Sequence, residues 1–124
     1  MINGIVRPDL HPTVRLAVFG PQDKYRIVDA IIDTGFNGEL SLPSGIVDEL
    51  DLPWLFQEYL TLGNGQRVTS DIYSASIQMG DIERDVRLDC AETDPLIGLE
   101  LLRGMYLAMD VVVGGTVTLI DRTR

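Results

Sequence analysis

The sequence contains one cysteine and one histidine in 124 residues, and that scarcity removes several chemistries. A lone Cys90 excludes an internal disulfide framework and a thiolate-cluster metal site. It reads as a small hydrophobe in a strand. A nucleophilic cysteine usually needs a histidine nearby, and a Ser-His-Asp triad requires one. Both would have to use His11, which precedes Pro12 and reads as a loop or strand-edge residue. No His/Cys spacing suits zinc and no Asp-x-Asp-x-Asp-Gly loop suits calcium, so no metal is expected. Basic residues are also scarce: 10 Lys and Arg against 19 Asp and Glu give a net charge of −9. That balance disfavours nucleic acid, whose binding relies on Lys and Arg to neutralise phosphates. No segment approaches the roughly 20 apolar residues of a membrane span, so no membrane partner is expected. Met1 to Pro8 lack the basic-then-apolar layout of a signal peptide, and a cytoplasmic location is the default expectation.

What remains is an ordinary globular composition, 45% hydrophobic and 23% charged. It predicts a single domain over residues 1–124. Period-two alternation with frequent turn signals predicts a mainly β fold with one or two short helices. Val14, Leu16 and Val18 alternate up to the break at Gly20-Pro21. Arg26 to Ile32 forms a second strand. Glu39 to Leu42 is a short strand ended by Pro43. Ser44 is a candidate N-cap for a short helix with Ile46, Val47 and Leu50 on its apolar face. Gln57 to Leu62 and Arg67 to Met79 read as arms of a long hairpin. Asn64-Gly65 at its tip predicts a type I′ turn. Ile82 to Cys90 follows as a strand, then Leu96-Ile97-Gly98 as a shorter one. Leu99 to Arg103 is a helical turn stopped by Gly104. Tyr106 to Val113 and Thr116 to Ile120 are the last strands, with Gly114-Gly115 between them as a flexible hinge.

The most informative stretch is Asp33-Thr34-Gly35, directly behind the apolar run Ala30-Ile31-Ile32. Alone the tripeptide is weak, expected by chance in roughly one chain in forty of this length from average residue usage. It could be a turn in which Asp33 bonds local backbone and Gly35 supplies a positive φ. The order of the other segments adds to it. Leu40-Ser41-Leu42-Pro43, a short helix, a glycine-bearing hairpin and Pro95-Leu96-Ile97-Gly98-Leu99-Glu100-Leu101-Leu102 follow in turn. In that order the chain, from about Val14 to Ile120, resembles the retropepsin-like aspartic proteases. These are the single-domain relatives of retroviral proteases, found also in bacteria and in ubiquitin-shuttle proteins of the DNA-damage-inducible type. The Leu62 to Val68 segment is similar to the shuttle-protein flap.

The resemblance implies a retropepsin-like closed acid-protease barrel that works as a homodimer on a peptide or protein substrate, without cofactor. It implies Asp33 as the catalytic acid. Thr34 would bond across the dimer axis, and Gly35 would allow close approach of substrate backbone. Gly63, Asn64, Gly65 and Gln66 would form the flap tip over substrate. Leu96, Ile97 and Gly98 would support the catalytic loop, and the final strand Thr116 to Ile120 would pair between protomers. Two positions depart from the retroviral pattern, Phe36 and Asn37, where a small residue and an aspartate are usual. Asn37 can accept a substrate N–H through its amide oxygen. Phe36 would line or narrow the cleft. Leu99 stands where retroviral enzymes carry an arginine. The expected activity is aspartic endopeptidase, with a pH optimum from mildly acid to near neutral because Phe36 offers no hydroxyl to the carboxylates. The alternative is a non-catalytic peptide-binding or assembly module on the same fold, with Phe36 plugging the cleft.

Overall fold

The computed structural model describes residues 1–123. Ten strands run β1 (Ile2–Val6), β2 (Pro12–Phe19), β3 (Tyr25–Ile32), β4 (Leu40–Leu42), β5 (Trp54–Thr61), β6 (Arg67–Met79), β7 (Ile82–Cys90), β8 (Leu96–Ile97), β9 (Met105–Met109) and β10 (Thr116–Asp121), with one helix, α1 (Ser44–Glu49), after β4. Their order in the sheet is β5-β6-β7-β4-β8-β3-β2-β1-β10-β9, and an extra β6–β2 pairing closes β2, β3, β8, β4, β7 and β6 into a barrel. This is the mainly β fold expected from the alternation, closed into the barrel that the resemblance implies. No helix among the described residues is long and apolar enough to cross a membrane.

The barrel closes because each wall strand turns alternate apolar side chains inward. Val14, Leu16 and Val18 of β2 meet Val28, Ala30 and Ile32 of β3, Leu40 and Leu42 of β4, Ile77 and Met79 of β6, and Val86 and Leu88 of β7 in one core. Leu40, Leu42, Leu88 and Ile97 are fully buried. β8 is the narrow keystone. It runs parallel to β3 through Ile31↔Leu96 and Ile32↔Ile97, and antiparallel to β4 through Leu40↔Ile97 and Ser41↔Leu96.

Several local expectations are corrected. Ser44 is the first helical residue rather than the cap. Pro43 holds the cap position at φ −69 and ψ 155 and makes no side-chain cap bond. The Ser44 N–H instead donates to the Glu92 carboxylate at 2.9 Å. Leu99 to Gly104 forms consecutive turns rather than a helix, because Leu102 and Met105 donate three residues back, to Leu99 and Leu102. Gly104, at φ +84, ends that run as the sequence suggested. The strand predicted to reach Val113 stops at Met109, since the N–H groups of Val112 and Gly115 bond within the loop, to Asp110 and Val112. The Gly114-Gly115 pair is no hinge: Gly114 donates to the Val6 carbonyl and Gly115 accepts from the Val6 N–H, each at 2.9 Å. β1 was not anticipated, because Asn3-Gly4 breaks the strand-forming pattern; pairing with β2 and β10 supplies it. The last strand, expected to pair between protomers, has both edges occupied within the chain, by β1 and β9.

Leu40→Ala opens a cavity at the barrel centre and should cost roughly 2–5 kcal/mol in urea unfolding. Ile27→Ala, at a site 57% exposed, should change stability by about 0.5 kcal/mol or less. A third outcome concerns Asp89 in β7, whose carboxyl pKa is raised by burial and then by the nearby Glu58 charge. A raised carboxyl binds its proton more tightly when folded, so stability falls as pH rises from the unfolded pKa through the folded one. Asp89→Asn should therefore raise the unfolding midpoint at neutral pH and lose that advantage near pH 3, below the reference pKa of about 3.9. Denaturant titrations at the two pH values check the sign.

Candidate functional site

β3 leaves the barrel wall at Ile32, and the chain turns at once through Asp33-Thr34-Gly35. The turn is held locally. The Gly35 N–H donates to Asp33 Oδ1 at 2.9 Å, and the Phe36 N–H donates to the Asp33 carbonyl at 3.1 Å. Gly35 does not adopt a positive φ. A Cβ there would sit 3.3 Å from Asp33 Oδ1, so the residue keeps the carboxylate uncrowded. Asp33 is half-buried, and Thr34 and Gly35 are exposed. The Thr34 hydroxyl and the second Asp33 oxygen have no hydrogen-bond partner among the described residues.

The second segment fastens this turn from behind. The Asp33 N–H donates to the Ile97 carbonyl at 2.9 Å, Gly98 to Glu39 at 3.0 Å, Leu99 to Phe36 at 2.8 Å and Glu100 to Gly38 at 3.1 Å. The two backbones approach so closely that a Cβ on Gly98 would lie 2.1 Å from the Gly38 carbonyl oxygen. Glycine is required there by contact, since its φ is not positive. The Phe36 ring completes the joint. Its carbons lie 2.6 Å from a Cβ built on Gly38 and 2.8 Å from one built on Gly98, so the ring covers both glycines. Ile97 and Gly98 are buried, and Leu96 is half-buried.

A cleft of about 390 Å³ opens beside the carboxylate, walled by Ile31, Ile32 and Leu96 and edged by Asp33, Thr34, His11, Thr93 and Asp94. Neither Phe36 nor Asn37 lines it; Asn37 borders a different depression with Leu99, Glu100 and Arg103. His11 and Asp94 were not anticipated here. The fold carries the β1–β2 loop over to the strand that delivers Asp33, which no local signal reveals. Thr93 and Asp94, just ahead of Pro95-Leu96, could have been found by adjacency to the motif. The rim is ordered by charge. Arg7 pairs with Asp9 at 2.5 Å and with Asp94 at 3.5 Å, and the Arg7 guanidinium holds the Asp9 carboxyl down to about 2.

The β5–β6 hairpin carries the predicted flap tip. The Leu62 N–H bonds the Gln66 carbonyl at 2.7 Å and the Gly65 N–H bonds the Leu62 carbonyl at 2.9 Å. Only Gly65 has a positive φ there, +83, so the tip is a three-residue loop with Gly65 in the left-handed position rather than the expected type I′ turn. Asn64 Oδ1 accepts from the Gln66 N–H at 2.9 Å and stabilises that alternative. Every residue of β5 is exposed, including Trp54, Leu55, Phe56, Tyr59 and Leu60. None of Gly63, Asn64, Gly65 or Gln66 reaches the Asp33 cleft in the single chain.

One carboxylate with a free oxygen at a cleft can bind and exchange a proton. Its rigid backing fixes where that proton is offered. No protein-family model matches the sequence, and no curated protein does. Solved structures match the fold. The chain superposes with a TM-score of 0.59 on a retropepsin-like aspartic protease from Rickettsia conorii, at 16% identity over 96% of this chain and 90% of that one. It superposes with a TM-score of 0.55 on the EIAV protease complexed with the inhibitor HBY-793, at 18% identity over 75% of this chain and 86% of that one. The fold is therefore the retropepsin-like one.

Gly98→Ala forces the two segments apart and should lower stability by about 1–3 kcal/mol. Thermal unfolding checks this; an unchanged midpoint would mean that the joint yields without cost.

Proposed function

We propose that this chain is a homodimeric aspartic endopeptidase whose two Asp33 carboxylates, one from each protomer, activate a water between them. The observation that carries the reading is the fastened Asp33 turn: a half-buried acid with one uncommitted oxygen, beside a cleft, on a retropepsin-like barrel. The exposed Thr34 hydroxyl is available to a second protomer's backbone. Thr34, Gly35 and the flap residues Gly63 to Gln66 keep in this proposal the roles that the resemblance implies.

The chemistry follows from placing like charges together. Two carboxylates within hydrogen-bond reach cannot easily both ionise, so the pair holds one proton. The ionised member takes a proton from the water as its oxygen attacks the scissile carbonyl carbon. The protonated member hydrogen-bonds the carbonyl oxygen and stabilises the tetrahedral intermediate. Collapse breaks the C–N bond, and a proton passes to the departing amine. The apparent pKa values belong to the pair. Asn37 lies outside the cleft of the single chain and would reach substrate only along an extended peptide.

The peptide-binding alternative requires a Phe36 ring that fills the cleft. The ring lies instead on Gly38 and Gly98, which leaves the cleft open and favours turnover. Asp33→Asn should abolish cleavage of a peptide library, by on the order of 10²–10⁴-fold or more, with the dimer intact. Wild type and variant equally inert across pH, both dimeric, would sink the enzyme reading. No hydroxyl follows Gly35 in the sequence, so the pH optimum should lie above about 3, judged against reference carboxyl pKa values near 4.

A further inference from the structure

The wall of the Asp33 cleft continues beyond Leu96. Partners across a ladder project their side chains to the same face of the sheet. From Ile31 the registers run Ile31↔Leu96, Leu96↔Ser41, Ser41↔Asp89, Asp89↔Ile72 and Ile72↔Phe56. This row crosses β3, β8, β4, β7, β6 and β5 on the face away from the barrel core. The sequence neighbours Ile32, Ile97, Leu40 and Leu88 are the ones that enter the core. One end of the row is the cleft, where Ile31 and Leu96 form the wall. The other end is the first arm of the β5–β6 hairpin. Neighbouring strands lie about 4.8 Å apart, so Asp89 stands roughly 10 Å from Leu96.

Two adjacent members of this apolar row are polar. Ser41 is 4% exposed, and its hydroxyl has no hydrogen-bond partner among the described residues. Beside it, the half-buried Asp89 carboxylate has neither a hydrogen bond nor an ion pair among them. The similarly sheltered Glu39 is held by Arg84 at 2.5 Å and by the Arg87 N–H at 3.2 Å. Arg87 shares the face of Asp89, but its guanidinium lies over the Phe56 ring, 5.6 Å from the centroid. Glu58, two residues beyond Phe56, adds a second negative charge. Burial, and then that charge, raises the Asp89 carboxyl. The free chain is less stable at neutral pH for holding Asp89 ionised. Sheltered acceptors with no internal donor call for a donor from outside.

We propose that Ser41 and Asp89 form a specificity subsite that receives a basic side chain of the bound peptide, arginine before lysine. Both groups accept hydrogen bonds from a guanidinium. They stand one strand spacing apart, a span that suits a planar fork of five donors better than a single ammonium. Leu96 and Ile72 lie on either side in the row and cover the aliphatic stem. An extended peptide advances about 3.3 Å per residue, so the basic residue sits within about three residues of the one held at Leu96. The inference rests on the reading above in that the ligand is a peptide in the Asp33 cleft. It does not require that the peptide be cut.

Binding is read first, on the full chain carrying Asp33→Asn, which leaves peptides intact. The probes are short peptides with a leucine pair at the centre and Arg, Lys, Gln or Glu at one flanking position. Fluorescence anisotropy should show Arg preferred over Gln by at least about tenfold at one position, with Lys between them. Adding Asp89→Asn should erase that ratio while the Gln peptide keeps its affinity. Adding Asp89→Lys should make Glu the preferred residue there. A damaged fold lowers every affinity alike, whereas a lost subsite changes the ratio. Equal affinity for Arg and Gln at every position overturns the proposal. So does a preference that survives either substitution at Asp89, or the failure of every probe to bind. If the Asp89→Lys chain does not fold, the Asp89→Asn ratio decides. Cleavage by wild type is read separately. A chain that selects Arg peptides through Asp89 yet cuts none of them sinks the peptidase reading and leaves the subsite standing.

Discussion

The site depends on one joint: the backbone crossing between Asp33–Glu39 and Ile97–Glu100. Four hydrogen bonds close it, and a bare Cα at Gly98 makes it possible. Remove that approach and the Asp33 turn has only its own short-range bonds. The joint also explains the choice of Phe36. A retroviral-type small residue would leave Gly38 and Gly98 uncovered, whereas a ring caps both and shields the bonds beneath from water. A residue that reads as an intruder in the cleft lies outside it, against the two glycines of the joint.

Much of this was legible from the sequence because it rests on local rules. Alternation located the barrel strands, and β6 and β7 match their predicted limits. The apolar run before Asp33 marked a strand delivering an acid. What could not be read was set at a distance. His11 and Asp94 meet at the cleft because β2 and β8 flank β3; His11 carries no local signal, whereas Asp94 stands just ahead of Pro95-Leu96. Asn64-Gly65 implied a mirror-image turn, yet the Asn64 side chain bonds Gln66 and selects a different loop. The final strand, Thr116 to Ile120, reads as one that pairs between protomers. Its partners are β9, the strand before it, and β1, the first strand of the chain, and β1 could not be recognised through Asn3-Gly4.

Many of the exposed apolar residues fall at the two ends of the sheet, on β5 and in the loop after β9, while others, Tyr25 and Ile27 of β3 and Ile5 of β1, lie between them.

The position of β8 has a consequence for how the molecule is made. β3 and β4 lie on either side of it, yet β8 follows β4 in the chain by more than the whole of α1, β5, β6 and β7. Until that strand is synthesised, β3 and β4 have no common neighbour and Asp33 has no backing. Pairings of such long sequence separation form late and slowly. The growing chain therefore carries its acid for most of its synthesis as an ordinary loop residue. The acid acquires a fixed geometry only when nearly the whole domain is present, so that any chemistry at Asp33 is timed by the completion of the fold.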